Sequence, residues 1–112
     1  MKTGKLITYD LYGIQSSSLD QARKILETTL ELNFKAHESS YHGGDYYRID
    51  HASKELFILQ KNFDEFTKEW NQQEHCDYPY LLFVTEETTR AEKVAGQLNP
   101  IDNIVLLSHK EL

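Results

Sequence analysis

The last third of the chain restricts the possible folds most. Residues 80–85 (Tyr-Leu-Leu-Phe-Val-Thr) form a short apolar run that opens just after Pro79, which bars helix at Tyr78. Thr89 and Glu92 then stand at capping-box spacing, with Ala91, Val94, Ala95 and Leu98 on one helical stripe. Asn99-Pro100 ends that helix, and residues 103–108 make a second buried strand. Strand, helix and strand at this spacing predict a right-handed crossover between parallel strands, which requires a sheet with a helix laid on it.

The first half holds similar units in another order. Residues 5–12 alternate between apolar and polar and predict a strand. Ser18 and Gln21 have capping-box spacing at the start of a helix over 19–32, with Leu19, Ala22, Ile25, Leu26 and Leu30 on one stripe and Asn33 as the left-handed stop. Residues 34–40 and 46–50 read as strands around Tyr41-His42-Gly43-Gly44-Asp45, where paired glycines permit the positive φ of a tight hairpin. Residues 55–61 carry Leu56/Ile58 on one face and Phe57/Leu59 on the other, which predicts a strand inside the sheet. Asn62 with Glu65, and Phe63, Phe66 and Trp70 at i, i+3 and i+7, predict a short helix over 63–71, followed by a polar loop. The order β-α-β-β-β-(α)-β-α-β implies an α+β fold: a mixed β-sheet with helices packed on one face, ferredoxin-like in flavour, the bracketed helix being an insertion. No repeat, linker or compositional break divides residues 1–112, so a single domain is expected.

Charge and cysteine usage narrow the function classes. The chain has 12 Lys+Arg against 18 Asp+Glu, a net charge of −6. Such a surface repels phosphate backbones, which argues against a nucleic-acid binder and for a basic partner. Cys76 is the only cysteine, which excludes an intrachain disulfide and a thiolate zinc cluster. The N-terminal residues lack the apolar core of a secretory signal, and no run approaches the roughly 18–20 apolar residues of a membrane span. The expected location is the cytoplasm, away from membranes.

The densest group of reactive side chains is His37, Glu38, Tyr41, His42, Asp45, Tyr46, Arg48, Asp50 and His51. Two histidines and an arginine could cleave RNA if they converged on one phosphate. Strand alternation instead puts Tyr46, Arg48 and Asp50 on one face and Tyr47, Ile49 and His51 on the other, among acids that repel the substrate. A solvated, interaction-prone hairpin is the simpler reading, and no enzyme activity is expected. His75-Cys76-Asp77 offers three ligand types, but adjacent residues seldom aim at one ion, so neither metal nor cofactor is expected. Gly43-Gly44 lacks the lysine and the following helix of a phosphate loop. Phe63, Phe66 and Trp70 read as the buried stripe of their helix. Around them, Asp64, Glu65, Glu69, Glu74 and Asp77 face Lys68 alone, a net of four negative charges. This run is either a solvated face or a docking surface for a basic protein.

The stretch Ser39-Ser40-Tyr41-His42-Gly43-Gly44-Asp45-Tyr46-Tyr47-Arg48-Ile49, in a single acidic α+β domain with one cysteine and no catalytic motif, resembles the immunity proteins of contact-dependent growth inhibition. Those small cytoplasmic proteins are encoded beside polymorphic toxins. The resemblance implies binding to a cognate toxin's C-terminal domain, often a nuclease, with its active site or substrate surface blocked. The expected partner-binding residues are Tyr41, Asp45, Tyr46, Glu65, Glu69, Glu74 and Asp77. The alternative is a small metabolic enzyme or ligand-binding domain of ferredoxin-like type, with its pocket between helices and sheet.

Overall fold

The computed structural model describes residues 7–39, 44–52, 55–64 and 66–111. Along the chain run β1 (Ile7–Ile14), α1 (Leu19–Leu30), β2 (Lys35–Ser39), β3 (Gly44–Ala52) and β4 (Glu55–Lys61). Two very short strands, β5 (Phe63–Asp64) and β6 (Glu69–Trp70), precede β7 (Tyr80–Glu87), α2 (Thr88–Leu98) and β8 (Ile104–Glu111). Six strands form one sheet in the order β2-β3-β4-β7-β1-β8, and β5 and β6 pair separately. The fold is therefore α+β, as the element order implied.

The expected mixed sheet is corrected, because every described pairing is antiparallel. β7 and β8 do run parallel to each other, but β1 lies between them and hydrogen-bonds to both. β1 and β4 are likewise parallel, with β7 between them. Crossover spacing reports that two strands point the same way; it does not report which strand fills the gap.

Local chemistry explains the element boundaries. The Ser18 hydroxyl accepts from the Gln21 amide at 3.0 Å and opens α1 as expected. The helix stops at Glu31, whose φ of 55° is left-handed, two residues before the expected Asn33. Glu27 sets this early stop: its backbone oxygen accepts from the Leu32 amide, and its carboxylate accepts from the Phe34 amide at 2.8 Å. α2 begins at Thr88 directly after β7 with no side-chain cap, so the Thr89/Glu92 capping box does not form. The Thr88 hydroxyl accepts from the Thr8 hydroxyl of β1 at 3.0 Å and so ties the helix start to the sheet.

Both helices cover one face of the sheet. Tyr12, Ile14, Phe57, Leu59, Leu82 and Val84 point to that face by strand alternation and meet Ala22, Leu26, Leu30, Val94 and Leu98 in the main core. β4 is an interior strand, as its two apolar faces predicted. At the β8 edge, Leu11 faces Ser108 while Tyr12 faces Leu106, which leaves Leu107 as the extra residue of a bulge. Among the described residues, no helix is long and apolar enough to cross a membrane.

Candidate functional site

The helix-free face is partly covered by residues 62–79, and Asn62 organises that segment. Asn62 is completely buried at the exit of β4. Its side-chain amide donates to the backbone oxygens of His75 (3.0 Å) and Tyr78 (2.9 Å), and its side-chain oxygen accepts from the Gln72 amide (2.9 Å). Its backbone N–H donates to Pro79 at 2.8 Å, and its backbone oxygen accepts from Asn71 at 2.6 Å. One residue thus closes both ends of the excursion.

Within it, the expected helix over 63–71 is replaced by the β5–β6 hairpin. Phe63 pairs with Trp70 and Asp64 with Glu69, the two aromatic rings meeting edge to face at 5.3 Å. The Asp64 carboxylate accepts from the Phe66 and Thr67 amides (2.8 and 3.2 Å), and the Lys68 amide donates to the Asp64 backbone oxygen at 2.8 Å. Lys68 is left-handed at φ 63°, a conformation that ends any helix. The aromatic spacing of three and four residues fits a helix face, but it equally fits two strands joined by a tight turn. Asp64, bonding the amides two and three residues on, selects the turn. Phe66 is therefore not core: it is 64% exposed at the hairpin tip.

The segment then lies back on the sheet. At Gly13 a Cβ would sit 2.5 Å from Tyr78 Cγ and 2.8 Å from Leu107 Cδ1, so only glycine lets the Tyr78 ring approach this closely. The Gln15 side-chain amide donates to the Asp77 backbone oxygen at 3.2 Å. Between segment and sheet runs a groove of about 440 Å³, floored by Tyr9, Leu11 and Phe83 and bordered by Glu74, His75 and Lys110. Tyr9 is 41% exposed there.

The residues expected to bind a partner divide between two places. Glu69, Glu74 and Asp77 are all exposed on the 62–79 segment, and Glu74 borders the groove. Asp45 is exposed on β3, which β4 separates from β7. Tyr46 is only 8% exposed, with its ring stacked on His37 at 5.4 Å, so it supports the face more than it presents a contact. Tyr41 and Glu65 lie outside the described residues, as do His42 and Gly43 of the expected hairpin turn. Arg48 is held by Asp50 at 3.0 Å, which pushes its guanidinium pKa upward. Cys76 is a free, exposed thiol.

A second polar cluster had no signal in the sequence, because its members are 99 residues apart. Asp10, buried on β1, faces His109 across the β1–β8 ladder. His109 Nδ1 lies 2.5 Å from Asp10 Oδ1, and its Nε2 lies 3.0 Å from Glu111 Oε2. A doubly protonated imidazolium donates to both carboxylates, and the two hydrogen bonds raise the His109 pKa. Burial raises the Asp10 pKa and outweighs the opposing pull of His109. Burial, and then the charge of Asp10, push the Tyr12 phenol up to about 12. With both ring nitrogens engaged, His109 acts as a clasp between the edge strand and β1.

A scan against protein-family models finds no match, and no curated protein matches the chain.

Proposed function

We propose that this chain is an immunity-type protein that binds a cognate toxin domain, a nuclease by class, in the cytoplasm and neutralises it by covering its active site or substrate surface. One observation carries the reading. The acid-rich segment after β4 is a hydrogen-bonded appendage on the helix-free face, with Glu69, Glu74 and Asp77 in solvent and Glu74 bordering a groove floored by aromatic and aliphatic side chains. A nuclease presents a basic surface where its substrate's phosphates bind, and carboxylates can take the places of those phosphates. Complementary charge also accelerates encounter and rejects wrong partners. Asp45, exposed two residues before the core-packed Tyr47, alternates onto the helix-covered side of β3 and so stands apart from this surface; with Tyr41 and Glu65 it belongs to the proposed contact set by sequence. The partner is a protein, and the reading requires neither cofactor nor metal.

The test begins with the neighbouring genes, where a toxin-bearing exoprotein should be encoded immediately upstream, and continues with co-expression of this chain and that toxin's C-terminal domain. Cells carrying both should grow, cells carrying the toxin domain alone should not, and inhibition of the purified toxin domain should be complete at one equivalent. Absence of both protection and complex formation would remove the reading.

A separate observation favours the alternative, a ligand-binding or metabolic domain of ferredoxin-like plan. A cavity of about 630 Å³ lies between the helices and the sheet, lined by apolar Leu30, Phe57 and Val94 and by Glu31, Glu87, Arg90 and Lys93, two acids and two bases. The interleaved order β4-β7-β1-β8 suits such a plan. Saturable binding of a small molecule that is lost in Arg90→Ala, together with no effect on the toxin domain, would favour this second reading.

A further inference from the structure

Phe66 is the most exposed large apolar side chain among the described residues, and its amide is hydrogen-bonded. Its amide donates to the Asp64 carboxylate at 2.8 Å, while the Lys68 amide donates to the Asp64 backbone oxygen and closes the turn. Beneath the turn, the Phe63–Trp70 ring contact joins the two short strands, and Asn62 fixes their base to β4 and to the chain entering β7. The ring therefore projects into solvent from a hydrogen-bonded turn. An exposed aromatic so placed is suited to filling a pocket as an interface anchor.

The surroundings specify the kind of partner. Asp64 and Glu69 flank the tip, and residues 64–77 carry five acids against one lysine. A pocket that accepts this ring while facing these carboxylates must open in a basic surface. A lipid surface rich in anionic headgroups would be repelled by the same charges.

We propose that Phe66 is the central anchor of a protein–protein interface, inserting into an apolar pocket ringed by Lys and Arg on a basic protein domain. This rests on the proposed function and assigns the partner's complementary feature: the acids guide encounter, and the ring sets residence time. Because Phe66 makes the contact only in the complex, its loss should change dissociation and leave association nearly untouched.

The test measures binding kinetics of the full chain against the upstream-encoded toxin domain, carrying an inactivating substitution so that it can be purified. Phe66→Ala should raise the dissociation rate about 30-fold. Its association rate should stay within about twofold of the parent, with the thermal midpoint unchanged. Phe66→Leu should recover much of the loss. Equal dissociation rates for Phe66→Ala and the parent would overturn the anchor while leaving the proposed function intact. Failure of the parent chain to bind or protect would overturn both. Co-sedimentation with phosphatidylcholine vesicles, or concentration-dependent self-association, that disappears in Phe66→Ala with no change in toxin binding would also overturn the proposal.

Discussion

The two faces of the sheet are held by different physics. On the helix-covered face, Leu26, Phe57, Leu59, Leu82 and Leu98 are almost completely buried against one another, and apolar burial dominates. On the other face, residues 62–79 contribute few buried side chains and depend on hydrogen bonds gathered at Asn62. The first arrangement makes a cooperative body that tolerates no voids. The second makes a locally stabilised platform, able to display acids and an aromatic ring without taking them from the core.

Substitutions should separate the two regions by size and by reach. Leu26→Ala removes a fully buried side chain at the helix–sheet contact and should cost about 3–5 kcal/mol. The loss should appear as a lower denaturant midpoint by every probe, because this face unfolds as one unit. Asn62→Ala leaves the His75 and Tyr78 carbonyls and the Gln72 amide without their side-chain partner and should cost about 2 kcal/mol. Its signature is local: amide exchange should accelerate across residues 70–79 while the α1 amides keep their protection. Equal acceleration in α1 would show that the two regions form a single cooperative unit. Ser18→Ala removes the α1 cap and should cost about 1 kcal/mol, again seen in the global midpoint.

The smallest effect is a pH dependence at the β1–β8 clasp. The pKa values of His109 and Asp10 are both raised, so the folded chain retains protons that the unfolded chain releases. The His109 contribution is complete below the ordinary imidazole value of 6.5 and is lost as pH climbs through its raised folded value. Asp10 acts in the same direction at lower pH, from the ordinary carboxyl value of 3.8 up to its own raised value. Stability should therefore fall with rising pH above 6.5, and His109→Gln should flatten that slope. Denaturant midpoints measured from pH 6 to pH 9 would check both, with NMR titration of the His109 ring locating the transition.

Periodicity made the helix-covered face readable from the sequence. The stripe Leu19, Ala22, Ile25, Leu26 and Leu30 placed α1, and the two apolar faces of residues 55–61 placed β4 inside the sheet. These patterns repeat every two residues or every 3.6, and burial of one face enforces them. The neighbours of β1 were not readable, because crossover length leaves strand order open. Residues 63–71 depart from the expected helix for a related reason: aromatic spacing fits a helix, whereas the deciding interactions run from Asp64 to amides two and three residues on. Asn62 reaches partners 10 to 16 residues away in a stretch with no period at all. The acidity of the segment was plain from residue counts, but its display on the helix-free face depended on that bonding. Asp10 with His109 left no trace, since nothing local couples positions 99 residues apart.

If, as proposed, residues 62–79 recruit a basic toxin domain through their exposed acids, charge and salt should control the rate of encounter. The most direct measurement is the association rate constant with the upstream-encoded toxin domain, for the parent chain and for the Glu69→Lys/Glu74→Lys double variant, at low and high salt. The double variant should associate about tenfold or more slowly at low salt, and added salt should slow the parent toward the variant. Association rates that respond neither to the substitutions nor to salt would contradict the proposal.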